Sequence, residues 1–312
     1  MTERVIKVGS RGSQLALWQT EHVIAELKAQ HPGLQCEIVI IKTQGDKILD
    51  VPLARIGDRG LFVKEIEEAL YAKQIDMAVH SLKDLPTEQP EGLAIAMISE
   101  RVDSRDCLVS LKYGSLAELP ADAVVGTSSL RRKAQLRAAH PGWRFKDVRG
   151  NLQTRLQKLD RGDYDALILA VAGLARLGLD ARIVERLAPE VCLPAVGQGA
   201  LAVETRADDA ELIGLLQPLD HAETRACVLA ERSLLRQLEG GCQVPIGASA
   251  TLEGGQLRLH GVVASLEGER VLRVDMRGPA DAPEALGQAA AQALIDQGTD
   301  EILAAIRSTS LP

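Results

Sequence analysis

Several places in the sequence combine residue types that could do chemistry. Gly9-Ser10-Arg11-Gly12-Ser13 and Gly126-Thr127-Ser128-Ser129-Leu130-Arg131-Arg132 each join glycine, hydroxyls and arginine. At the start of a helix such a turn offers free backbone N–H groups and the positive end of the helix dipole, and arginine adds a planar fork suited to carboxylates or phosphates. Taken singly, either turn reads plainly as N-capping with solvated arginines. Two such turns, followed by Arg149, Arg155 and Arg176, would make a polycationic site for a ligand with many negative charges. Lys83 and Asp84, in AVHSLKDLP (78–86), follow a buried-type strand. A carboxylate there could stabilise a cation or move protons, while a surface turn closed by Pro86 fits the same residues. Cys242, in LEGGCQVPIG (238–247), is flanked by glycine, which lets bulky groups approach. An exposed thiol there could be a nucleophile or an attachment point, although a lone cysteine is more often structural.

The elements that must position these residues follow from periodicity. Residues 4–9 read as a strand, Ser10 to Ser13 as caps, and Leu17, Ile24 and Leu27 as the apolar positions of a helix stopped by His31-Pro32-Gly33. A strand (36–42), a helix (62–73) and a strand (77–81) follow, the alternation of a mostly parallel sheet. The same grammar returns from residue 123: the strand AVVG, the run Thr127-Ser128-Ser129, a helix with Leu130 and Leu136, and a stop at His140-Pro141-Gly142. The strand FKDVRG, the helix NLQTRLQKLDRG and the strand 166–171 complete the second copy. Two similar α/β lobes are expected, with crossings at 92–110 and 193–204 that would leave a hinged cleft, where ligands preferentially sit. From about 220 the pattern changes to a long helix (221–238), three strand-like runs (247–252, 256–264, 270–277) and a helical segment after Asp281. The expected domains are 1–99 plus 200–217, 100–199, and an α+β domain over 218–312.

Composition narrows the function classes. The 312 residues are 46% hydrophobic and 25% charged, close to an average soluble globular protein, and the 2% of aromatics requires an aliphatic core. A net charge of −7 and few stacking aromatics disfavour a nucleic-acid-binding protein. The five cysteines are dispersed, which argues against a disulfide framework or zinc site, and the six histidines are scattered, so no metal is expected. The N-terminus lacks the h-region and cleavage site of a secretory signal, and no stretch approaches the ~20 apolar residues of a membrane span. A cytoplasmic protein without membrane contact is the default. Two rivals remain: a non-enzymatic two-lobed anion-binding protein, and a thiol-dependent hydrolase on Cys242, although no histidine stands in a motif beside that cysteine.

Nine motifs then decide between these readings. GSRGSQLALWQ, TQGD (43–46), GLFVKEIE (60–67), AVHSLKDLPT, GTSSLRRKAQL, RGNLQTRL, LILAVAGLARLG, LPAVGQGALAVE and LEGGCQVPIG, in this order, strongly resemble the porphobilinogen deaminases, or hydroxymethylbilane synthases. The match covers essentially the whole chain and weakens only after about residue 250. The resemblance implies two lobes like type II periplasmic binding proteins plus a smaller C-terminal domain that carries the cofactor cysteine. It implies a monomeric transferase of haem and tetrapyrrole biosynthesis that condenses four porphobilinogen molecules head to tail into hydroxymethylbilane, with loss of ammonia. It implies a dipyrromethane primer held by Cys242 through a thioether, and Asp84 as the catalytic aspartate. Lys83, Asp84, Asp46, Ser81, Thr127, Ser129, Arg131 and Arg132 would bind the cofactor. Arg11, Ser13, Arg149, Arg155, Arg176, Gln198, Phe62 and Arg55 would bind substrate. Each ring brings two carboxylates, which accounts for the arginines. Arg55 departs from the lysine of many relatives and keeps the charge, and the glycine- and charge-rich segment 43–60 is expected to be mobile over the cleft mouth.

Overall fold

The computed structural model describes residues 4–47, 62–238 and 244–309. Cys242, Arg55 and all but the start of the segment 43–60 lie outside the described residues.

In chain order the elements are β1 (Val5–Ser10), α1 (Gln14–Gln30), β2 (Gln35–Ile40), α2 (Gln44–Lys47), α3 (Lys64–Tyr71), β3 (Met77–Ser81), β4 (Leu93–Ile98) and β5 (Asp106–Val109). Then come β6 (Val124–Gly126), α4 (Leu130–Ala139), β7 (Arg144–Lys146), α5 (Leu152–Asp160), β8 (Ala166–Ala170), α6 (Val171–Arg176), β9 (Glu185–Arg186) and β10 (Leu201–Arg206). The chain closes with α7 (Ala210–Leu216), α8 (Ala222–Gln237), β11 (Ile246–Glu253), β12 (Gln256–Ala264), β13 (Val271–Pro279), α9 (Pro283–Asp296) and α10 (Thr299–Thr309). Two compact units result: Met1–Leu49, Asp58–Val102 and Gly199–Arg225 make one, and chiefly Asp103–Gln198 and Ala226–Pro312 the other.

The first unit has a five-stranded sheet ordered β2-β1-β3-β10-β4, in which β1, β2 and β3 are parallel and β10 is antiparallel to both of its neighbours. Strand side chains alternate between faces. Val8, Met77, Val79 and Val203 pack with Val23 and Leu27 of α1 and Leu212 and Leu216 of α7. Ala78 packs on the other cluster, with Ile66, Ala69 and Leu70 of α3.

The second unit holds two sheets. One repeats the first unit's plan in the order β7-β6-β8-β5-β9, with β6, β7 and β8 parallel and β5 antiparallel to β8 and β9. Leu108, Val125 and Ile168 pack with Leu136 of α4, whereas Cys107, Val109, Leu167 and Leu169 pack with Leu156 of α5 and Leu174 of α6. The repeat heard in the sequence is therefore a repeat of strand order and direction. The other sheet is the antiparallel meander β11-β12-β13, which shares an aliphatic core with α8, α9 and α10. Its β12–β13 turn packs on α4: a Cβ on Gly268, whose φ is +73°, would lie 2.6 Å from the Ala134 carbonyl oxygen, so only glycine fits.

Both His-Pro-Gly stops work alike. His31 and His140 are the C-caps of α1 and α4, and their backbone N–H groups donate to the carbonyls of Leu27 and Leu136.

Candidate active site

In open α/β sheets ligands gather beyond the carboxyl ends of the parallel strands. In the first unit β1 leads directly into Arg11 and Ser13, and β3 into Lys83 and Asp84. In the second, β6 leads into Thr127 to Arg132, β7 towards Arg149, and β8 into α6, which ends on Arg176. Of the described candidates, all but Asp46, Phe62 and Gln198 lie at these strand ends or along the segments that leave them, including Arg155 in the first turn of α5.

Ser13 caps α1, its Oγ accepting from Ala16 N–H at 3.3 Å. Arg11 stays half-buried: its Nε donates to Asp46 at 3.2 Å, and its guanidinium lies 4.2 Å from the centroid of the Phe62 ring. Burial pushes the Asp46 carboxyl up, but the Arg11 guanidinium and the Thr43 hydroxyl and N–H outweigh it and hold it below the usual range. Arg11, Asp46 and Phe62 are thus one assembly. Ser81 accepts from the Gln19 side-chain amide at 2.9 Å, and the next three residues, Leu82–Asp84, form a 3-10 turn. That turn is pinned from below, because Leu82 is buried and its N–H donates to the Ala200 carbonyl. Lys83 is half-buried and Asp84 is exposed.

Beneath that turn lies a pair that sequence reasoning missed. His80 of β3 and Glu204 of β10 are buried, with His80 Nε2 3.1 Å from a Glu204 oxygen. Burial and the Glu204 charge together push the Glu67 carboxyl of α3 up.

In the second unit Ser129 caps α4, and the buried Thr127 hydroxyl accepts from Ser129 N–H at 3.3 Å. Arg131 and Arg132 are 5% and 7% exposed and converge on Asp106, the fully buried first residue of β5. Arg131 Nη1 lies 2.8 Å from Asp106 Oδ2 and donates to the Leu193 carbonyl at 2.5 Å. Arg132 gives Nη2 to Asp106 Oδ1 at 2.6 Å and Nη1 to the Ile168 carbonyl at 2.9 Å. Gln198 joins them, its amide donating to Asp106 Oδ1 at 2.9 Å and to the Ser104 carbonyl at 2.7 Å. Burial alone would raise the Asp106 carboxyl, and the two guanidiniums overcome it and hold it far below the usual range. Cys192, buried beside them, has its thiol pushed up to about 12, mainly by burial. Asp106 is a third residue that sequence reasoning missed, and with it the fact that Arg131 and Arg132 are buried against an internal carboxylate.

Arg149 and Arg155 flank a special turn. Gly150 has φ +108°, Asn151 caps α5 by accepting from Thr154 N–H at 2.9 Å, and Arg155 Nε donates to the Gly150 carbonyl at 2.9 Å. Arg149 is half-buried, and desolvation lowers its guanidinium. Arg176 is more deeply buried, and desolvation pushes it down to about 10. Cys107, Cys192 and Cys227 are buried thiols with no disulfide among the described residues, and Cys36 is partly buried.

The model of the porphobilinogen deaminase dipyrromethane cofactor-binding domain matches residues 6–214, and that of the porphobilinogen deaminase C-terminal domain matches 225–296. The chain belongs to the porphobilinogen deaminase family. Porphobilinogen deaminases of Chromobacterium violaceum, Desulforudis audaxviator and Synechococcus elongatus are 56%, 55% and 54% identical to it. These matches cover 96%, 98% and 99% of this chain and 97%, 99% and 98% of theirs. Membership of the porphobilinogen deaminases makes the chain a transferase and its residues 6–214 a dipyrromethane cofactor-binding domain. Among solved structures, the methionine-binding protein MetQ has a TM-score of 0.46 at 16% identity, over 69% of this chain and 89% of its own. No helix among the described residues is long and apolar enough to cross a membrane.

The fit of a dipyrromethane can be tested on the second unit's arginines. Two guanidiniums against one carboxylate leave a surplus positive charge where water is excluded, and the buried Arg132 Nε has no hydrogen-bond partner among the described residues. A ligand carboxylate supplies the missing charge and acceptor, so the residues fit an acidic pyrrole.

Proposed function

We propose that this chain is a hydroxymethylbilane synthase, joining four porphobilinogen molecules head to tail with loss of ammonia on a dipyrromethane held by Cys242. It would serve haem and tetrapyrrole biosynthesis as a cytoplasmic monomer, its substrate small and its work independent of nucleic acid and membrane. The observation that carries the reading is the buried Arg131–Asp106–Arg132 cluster with its surplus positive charge, inside a domain that the family uses to bind this cofactor.

When bound, the dipyrromethane supplies the free α-carbon to which the first substrate unit is joined. Arg131 and Arg132 would hold its carboxylates, with Ser129, Thr127, Ser81, Lys83 and Asp46 as further polar partners. Arg11, Ser13, Arg149, Arg155, Arg176, Gln198, Phe62 and Arg55 would serve the substrate. Of these, Gln198 would act through Asp106, to which it is bonded, and Phe62 through the guanidinium of Arg11 stacked over its ring. Asp84 would be the catalytic group, since an exposed carboxylate on a rigid turn can accept pyrrole N–H groups and stabilise the positive charge that develops as ammonia departs. A preorganised negative group of this kind lowers the barrier because it needs no reorganisation at the moment of reaction.

Incubating the purified chain with porphobilinogen and following both ammonia release and tetrapyrrole formation tests the reading. Four ammonia molecules per tetrapyrrole are expected. Tight binding of porphobilinogen without ammonia release would instead favour a two-lobed anion-binding protein.

A further inference from the structure

We infer that Asp106 is a positioning residue, holding the forks of Arg131 and Arg132 in the orientation that receives ligand carboxylates. The inference rests on the reading of those two arginines as cofactor ligands.

Asp106 opens β5, and the antiparallel pairing sets it opposite Ala170, the last residue of β8. That register brings a strand's first residue to the carboxyl end of the sheet, beside the start of α4. Both of its oxygens are used twice. Oδ1 takes Arg132 Nη2 and Gln198 Nε2, and Oδ2 takes Arg131 Nη1 and the Cys192 thiol, 3.5 Å away. Each arginine is thereby fixed at two points, by Asp106 and by a main-chain carbonyl: Leu193 for Arg131, Ile168 for Arg132.

A purely structural role does not account for this cluster. Burying two cations with one anion leaves a net charge in a low-dielectric interior, which costs more than an apolar core of the same volume. The buried Arg132 Nε adds a donor with no acceptor among the described residues. Both features make sense as half of a site, in which Asp106 cancels one charge, freezes the long side chains before the ligand arrives and leaves the second charge to the ligand. Freezing them in advance removes the ordering cost from binding.

Apo protein of the wild type, Asp106→Asn, Arg132→Gln and the double variant would be incubated with porphobilinogen and cofactor loading followed by intact mass, with thermal melts for folding. Folded D106N should load about tenfold to a hundredfold more slowly, the range expected when liganding groups are displaced by a misplaced support. In the R132Q background the D106N change should cost less than it does alone, because the share of its effect that runs through the Arg132 fork is already gone and only the Arg131 share remains. The loading rate of D106N should fall without a matching fall in the folded fraction read by the melts, a separation that loss of general integrity would not give. Wild-type loading by folded D106N, or a fully additive loss in the double variant, overturns the inference. If D106N does not melt cooperatively, Asp106→Glu keeps the charge but moves the carboxylate by a methylene, and its slow loading supports the inference where wild-type loading overturns it. A wild type that never gains mass overturns both this and the proposed function, whereas a loading wild type beside an unimpaired D106N overturns this alone.

Discussion

Arg132 Nη2 stands 2.6 Å from Asp106 Oδ1, and both side chains are almost wholly buried. A carboxylate so placed stays ionised in the folded state to lower pH than in the unfolded one, and its protonation is therefore linked to folding. Asp46, Asp76 and Asp209 are also held below the usual range, each against the upward pull of burial, by arginine partners and hydrogen bonds. A group whose folded pKa is depressed stabilises the fold above its unfolded pKa of about 3.9, and that contribution fades as pH falls through its folded value. The melting temperature should thus hold above about pH 5 and fall steadily from there to about pH 2. Thermal melts across that range check the sign, and D106N should show a shallower fall. A melting temperature that rises on acidification would contradict it.

Removing the carboxylate altogether is a harsher change. Asp106→Ala should cost about 3–5 kcal/mol, since it strands two buried guanidiniums. Urea unfolding measures this, and a loss under about 1 kcal/mol would mean that the cluster is open to water.

Asp84 should separate chemistry from folding. Because it is exposed, Asp84→Asn should shift stability by less than about 0.5 kcal/mol. In its proposed role as the charge that stabilises the developing cation, its loss should lower kcat by about 100- to 1,000-fold. Steady-state turnover of porphobilinogen beside a thermal melt reads both quantities.

Gly150→Ala tests the turn flanked by Arg149 and Arg155, the two arginines proposed to serve the substrate. The position has φ +108°, and an added Cβ would lie 2.7 Å from Thr154 Cγ2. A strained backbone of this kind costs about 1–3 kcal/mol. KM should rise more than kcat falls, because Arg149 and Arg155 flank the turn while Asp84 lies elsewhere in the sequence.

Much of the fold was legible because local signals repeat. Ser13 and Ser129 announce helix starts, the two His-Pro-Gly stops announce ends, and the nearly continuous apolar runs of MAVHS and ALILAV mark strands buried on both faces. The family resemblance then implied roles for Asp84 and Cys242, which spacing alone left open. The partners of charged residues were not legible. Asp106 sits in a run of charges, Val102-Asp103-Ser104-Arg105-Asp106, that reads as a solvated turn. Its burial depends on arginines 25 and 26 positions later and on a strand register that brings them together. His80 was counted as part of a buried strand, yet its partner Glu204 lies 124 residues away on a strand that pairs antiparallel with it. Periodicity says which face a residue takes, but not which charge waits there.

The covalent primer on Cys242 is the central claim, and intact mass is its most direct measurement. The purified chain, after incubation with porphobilinogen, should exceed its sequence mass by two deaminated porphobilinogen units, and Cys242→Ser should lose that excess. A mass equal to the bare sequence after incubation, or an excess that survives in the serine variant, would contradict the account.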